Sequence, residues 1–118
     1  MNNKKFAKEL EQRTLDFSIT VIQLSSKVGN SMEQRIVRNQ LTKCATSIGA
    51  NYREANRSRS KADFKNKIKI CESEASEAQY WLIIISKMSW LPDEKIRSIY
   101  NESSELLALF TKISTSLN

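Results

Sequence analysis

An all-α fold, an antiparallel up-down-up-down four-helix bundle, is predicted by three observations. Four apolar stripes step by three and four residues, three breaks carry helix stop and start signals, and turn formers are scarce, with 2 Gly and 1 Pro in 118 residues. Apolar residues at that spacing share one face of an α-helix, and four such faces bury one another as a bundle. Short links between consecutive helices make neighbours antiparallel. The chain reads as one domain over 1–118, with helices over about 5–28, 32–57, 61–89 and 93–116.

The first stripe is Leu10, Thr14, Phe17, Val21, Leu24 and Val28. Gly29-Asn30 follows as a left-handed helix stop. Ser31-Met32-Glu33-Gln34 has the form of a capping box, in which the Ser and Gln side chains satisfy each other's backbone amides, and it opens the second helix. The stripe there is Val37, Leu41, Cys44, Ile48, Asn51 or Tyr52, and Ala55. Gly49 inside this helix costs about 1 kcal/mol relative to alanine. Its small neighbours Ser47 and Ala50 make close approach of another helix the expected compensation.

Ser60-Lys61-Ala62-Asp63 starts the third helix, its acid in the first turn where the helix dipole favours it. The third stripe is Phe64, Ile68, Cys71, Ala75, Ala78, Leu82 and Ile85. Pro92, Asp93 and Glu94 open the fourth helix, with Ile96, Ile99, Ser103, Leu106, Phe110, Ile113 and Leu117 as its stripe. Leu41, Ile68, Leu82 and Phe110 are expected to be buried. The third helix also carries a second line, Ile70, Glu74, Glu77, Trp81, Ile84 and Met88. A small bundle has one interior, so the far half of that line, Trp81, Ile84 and Met88, with Ile83 and Trp90 nearby, is the expected oligomer interface. The alternative is a wide arc buried within one chain.

Charge is unevenly placed. Residues 27–69 hold 11 Lys/Arg against 3 acids, the last 49 residues hold 4 against 7, and the whole chain carries +6. Clustered positive charge on a rigid hairpin is the footprint of a surface that meets a polyanion or an acidic partner. The candidate nucleic-acid-binding residues are Arg53, Arg57, Arg59, Lys61, Lys65, Lys67 and Lys69, around the bend between helices two and three. In the competing reading the arginines are engaged in structural ion pairs with Glu54, Glu74 and Glu77. Tyr52 and Phe64, the aromatics near enough to stack on bases, read as core.

Other chemistry finds little support. The chain has no histidine. Glu74-x-x-Glu77 therefore lacks the nitrogen ligands of a bundle di-metal site, and neither a metal nor another cofactor is expected. Cys44 and Cys71 lie on apolar stripes without CxxC spacing and read as buried thiols, although a disulfide across the hairpin is conceivable. No catalytic residue is identified, and an enzyme is not expected. The longest apolar run, Trp81 to Ile85, is too short to span a bilayer, and no apolar signal region follows Lys4-Lys5, so a cytoplasmic address is expected.

Ser47-Ile48-Gly49-Ala50-Asn51-Tyr52-Arg53-Glu54-Ala55, Ser60-Lys61-Ala62-Asp63-Phe64, Lys69-Ile70 and Glu74-Ala75-x-Glu77-x-x-Tyr80-Trp81-Leu82 resemble the 23S rRNA intervening-sequence protein family of bacterial four-helix-bundle proteins. Many members have Glu-Gly where this chain has Glu54-Ala55, so no glycine turn is required there. The resemblance implies an antiparallel four-helix bundle, a homopentamer and no catalytic residue. A distant relative, the accessory variability determinant protein, assists a reverse transcriptase in retroelements. Two functions are thereby expected: a homo-oligomeric ring whose basic surface binds RNA or DNA without strong sequence preference, or a scaffold that recruits a partner protein.

Overall fold

Helices begin in this chain where a side chain can satisfy the free amides of a first turn. Asn3 Oδ1 accepts from the Phe6 amide at 2.8 Å and Ser60 Oγ from the Asp63 amide at 3.1 Å. The Ser31–Gln34 capping box forms in both directions, at 3.1 and 3.0 Å. In a computed structural model, which describes residues 3–117, these starts open α1 (Lys4–Ser25), α2 (Met32–Ala55) and α3 (Lys61–Lys87). The last helix, α4 (Asp93–Ser116), follows Pro92 without a side-chain cap, and Asp93 and Glu94 occupy its first turn instead. Among the described residues there is no strand, and no helix is long and apolar enough to cross a membrane. Met1, Asn2 and Asn118, the ends of the expected domain span, lie outside the described residues.

The stops explain why three helices end two or three residues before the spans read from their stripes. After Ser25 the Lys27 and Val28 amides bond to Leu24 and Ser25 carbonyls, a tighter turn that still buries Val28. Gly29 then takes φ +125°, and any Cβ there would collide with the Gln34 side chain of the capping box. At the end of α3, Ser89 adopts φ 58°. Its amide bonds to the Ser86 carbonyl at 3.0 Å and that of Trp90 to the Ile85 carbonyl at 3.1 Å. This is a Schellman stop built on serine in place of glycine, and it delivers Trp90 onto the core beside the last turn.

Cross-helix bonds settle the topology. Between α1 and α2 the partners run Glu11 to Asn56, Ser18 to Ala45 and Ser25 to Arg38, one number rising as the other falls. Ile48 with Cys71 and Glu54 with Lys67 do the same for α2 and α3. So do Glu72 with Thr111, Gln79 with Ser103 and Ser86 with Asp93 for α3 and α4. The bundle is therefore antiparallel, up-down-up-down. Its four helices pack in cyclic order, and the closing contact of α1 with α4 is the thinnest. Arg13 clamps that seam. Its guanidinium meets Glu102 at 2.6 and 2.9 Å and also bonds Glu105. The Glu102 bond raises the Arg13 pKa further above its ordinary value, against the desolvation that opposes it.

Leu41, Ile68, Leu82 and Phe110 are fully buried, with the Tyr52 ring 5.7 Å from that of Phe110. Phe64 and Ile113, at the ends of their stripes, are half-buried. The choice between Asn51 and Tyr52 falls to Tyr52. Asn51 stays half-buried and donates to the Ser47 carbonyl at 2.9 Å. At the α1–α2 crossing Ser18 donates to the Ala45 carbonyl at 3.0 Å, and Gly49 faces Thr14. Cys44 and Cys71 are both buried and free, without the disulfide that spacing left open. Burial pushes the Cys71 thiol up to about 12.

Candidate nucleic-acid interface

The basic bend is a tight connection. Beyond Ala55 the amides of Arg57 and Ser58 bond back to Glu54 and Ala55 at 3.0 Å, and Ser60 already caps the next helix. Five residues thus reverse the chain and fan their cations outward. Arg53, Arg57, Arg59, Lys61 and Lys69 are exposed and form no ion pair among the described residues. Lys65 and Lys67 are half-buried. Lys67 meets Glu54 at 2.8 Å, and this bond holds the Glu54 carboxyl below its ordinary range.

The expected ion-pair set is rearranged accordingly. Glu54 takes Lys67, a residue read as ligand-binding, and leaves the arginines to solvent. Glu74 and Glu77 make no ion pair with them among the described residues. Both lie against Cys44 across the α2–α3 contact, with their ligand atoms and the thiol sulfur all within 4.8 Å of one another. Glu77 also accepts from the Trp81 indole at 3.2 Å. Burial, reinforced by a hydrogen bond to Glu77, pushes the Cys44 thiol well above its ordinary pKa.

The fold adds cations that a reading of the bend alone missed. Because α1 runs antiparallel to α2, Glu11 accepts from Asn56 at 2.9 Å, and the exposed Lys4, Lys5 and Lys8 stand at the same end of the bundle. The last turns of α4 arrive there too, with Thr111 donating to Glu72 and the exposed Lys112 beside it. All four helices therefore contribute basic residues to one end of a body 44 Å long. That end also carries Glu9, Glu11, Glu54 and Asp63, and the far end mixes Lys27, Arg35, Arg38, Lys87, Lys95 and Arg97 with Glu33, Asp93 and Glu94. The signal was the topology itself, since antiparallel order fixes which termini share an end.

The residues of the expected association face are unequally exposed. Trp81, Ile84 and Trp90 are half-buried and pack on the chain's own core, whereas Met88, 55% exposed, stands free of it. A further open apolar line lies on α1, where Leu15, Ile19 and Ile22 are 48%, 45% and 46% exposed, while Tyr80 and Ile83 stay exposed near Met88 on α3. The three α1 residues wall a groove of about 580 Å³ whose other side is Thr46, Gly49, Ala50 and Arg53. Their 4,3 spacing beside the core line Thr14, Ser18 and Val21 was the available sequence signal.

Comparisons with known proteins agree with this architecture. Residues 8–112 match the family model described as 23S rRNA-intervening sequence protein. A solved structure from Bacteroides thetaiotaomicron VPI-5482, described as a protein with unknown function from the S23 ribosomal protein family, is 34% identical. The alignment covers 88% of this chain and 96% of that one, with a TM-score of 0.82. No curated protein matches. The chain belongs to the 23S rRNA-intervening sequence protein family.

Proposed function

We propose that this member of the 23S rRNA-intervening sequence protein family is a non-enzymatic, cytoplasmic, homopentameric ring whose basic rim binds RNA or DNA without strong sequence preference. The observation that carries the reading is the convergence of Arg53, Arg57, Arg59 and Lys61 with Lys4, Lys5 and Lys8 at one end of the bundle. Such cations neutralise phosphates, and phosphate contacts carry no sequence information. Among the described residues Tyr52 is buried and Phe6 and Phe64 are half-buried, so base stacking has no fully exposed platform at this end. Free buried thiols suit a reducing compartment.

Assembly draws support from two unlike apolar faces. Leu15, Ile19 and Ile22 front the α1–α2 side, and Tyr80, Ile83 and Met88 are exposed on α3. Contact between two different patches is heterologous and closes as a ring when the rotation fits. The family resemblance supplies the number five. With bundle axes along the ring axis, every basic end shares one rim, and the linked sites act multivalently.

Binding to mixed-sequence RNA and duplex DNA across salt concentrations tests this. The logarithm of affinity should fall with log salt at a slope of about 0.7 to 0.9 per phosphate contact. Arg59→Glu with Lys61→Glu should weaken binding alike for all sequences and flatten the slope by about 1.4 to 1.8. Helicity and assembly should persist. Loss of either assigns these cations to structure, and absent binding at low salt favours the second reading, a scaffold recruiting an acidic partner protein to the same rim.

A further inference from the structure

We propose that Cys44, Glu74 and Glu77 form a binding site for one borderline-soft divalent cation of the zinc type on the α2–α3 face of each chain. Glu74 and Glu77 stand one turn apart and therefore share a face of α3. The antiparallel register brings α2 to that face. Cys71 donates to the Ile48 carbonyl at 3.4 Å, so Cys44, one turn before Ile48, lies opposite the turn after Cys71. There the three ligand atoms gather within 4.8 Å of one another.

Two observations single the cluster out from an ordinary acidic patch. Cys44 is 2% exposed, and its thiol is not turned to a backbone carbonyl as that of Cys71 is; its polar neighbours are the two carboxylates. Neither Glu74 nor Glu77 has an ion pair among the described residues; the side-chain partners given to them are the Cys44 thiol itself and, for Glu77, the Trp81 indole. Two carboxylates and a thiol are thus held together with no positive charge between them, an arrangement that a dication stabilises.

The dimensions suit such an ion. Bonds of about 2.3 Å to sulfur and 2.0 to 2.2 Å to oxygen place tetrahedral ligand atoms about 3.4 to 3.6 Å apart. The widest separation must close by a little over 1 Å on that geometry. Glu77 is exposed and Glu74 half-buried, so both can move to a sulfur that the core holds in place, and the ion has a path from solvent. As the metal–sulfur bond forms, the thiol proton leaves to solvent, and two carboxylate oxygens complete a three-ligand site with a fourth position for water.

The test uses the full chain, reduced, with Co²⁺ alone as the probe. Expected are saturable uptake of one ion per chain, a sulfur-to-cobalt charge-transfer band in the near ultraviolet, and displacement by Zn²⁺. A Trp90→Phe background isolates Trp81, whose emission should change as Glu77 moves. Cys44→Ser should abolish the band, and Glu77→Gln, at an exposed position, should weaken binding by at least about tenfold. Uptake that does not saturate, or a band that survives Cys44→Ser, overturns the proposal. Should Cys44→Ser fail to fold, Glu77→Gln decides, and unchanged affinity there overturns it equally.

Discussion

Two helices carry a second apolar line beside their core seam, and the fold treats the two lines oppositely. On α3, Trp81 and Ile84 turn inward along the flank that meets α2, and Trp90 folds back onto the core through the Schellman stop. On α1, Leu15, Ile19 and Ile22 remain about half exposed. The lines have similar spacing, so periodicity does not separate them. What differs is the neighbourhood. Helix α3 lies between two broad contacts, with α2 and with α4, whereas α1 has one moderate contact and one thin seam. Small residues at the α1–α2 crossing, Ser18, Ala45 and Gly49, present little side chain for the α1 line to pack on. An apolar stripe is buried when neighbouring helices reach around it, and otherwise it remains for another molecule.

Truncations along α3 should show the larger effects. Leu82→Ala removes a fully buried side chain and should cost about 2 to 5 kcal/mol in urea unfolding. Trp81→Ala, at a half-buried position, should still destabilise an isolated chain by about 1 to 3 kcal/mol. If Trp81→Ala is neutral for the isolated chain yet dissolves the assembly, the α3 line is an interface and the contrast with α1 collapses.

The α1 line should respond in the reverse manner. Ile19→Asp should leave the unfolding free energy of the isolated chain within about 1 kcal/mol, because the position is already half in water. Light scattering should nevertheless report loss of the assembly, since an unpaired carboxylate would be buried at each contact. An intact assembly would remove α1 from the contact and leave Tyr80, Ile83 and Met88 on α3 as its apolar face.

Much of this architecture was legible because helix signals are local. The 3/4 spacing, the Ser31–Gln34 capping box and the Ser60 cap each lie within a few residues, and each forms as read. Features that depend on the offset between helices were not legible from any one stripe. Cys44 meets Glu74 and Glu77 only at a particular α2–α3 register, and Glu54 finds Lys67 for the same reason. Lys4, Lys5 and Lys8 join the basic end through antiparallel order, a step that counting charge along the chain does not take. Trp90, expected at an oligomer contact, also packs on the chain's own core, because Ser89 takes the left-handed conformation that a glycine usually supplies at a Schellman stop.

The smallest effect is the most direct probe of why α1 keeps its line in the open. Gly49 read as a glycine compensated by close approach of another helix, and a Cβ built there would lie 3.4 Å from Thr14 Oγ1 and 3.5 Å from its neighbouring carbons, an ordinary contact. Alanine therefore fits without moving α1. Since glycine inside a helix is about 1 kcal/mol less favourable than alanine, Gly49→Ala should stabilise the chain by up to about that amount. A longer side chain has no such room, so Gly49→Leu should push α1 away from α2, break the Ser18 to Ala45 bond and destabilise. Thermal melting of the two variants separates the possibilities. If Gly49→Ala destabilises, the crossing is closer than its geometry indicates, and backbone approach rather than a scarcity of large α2 side chains leaves Leu15, Ile19 and Ile22 outside.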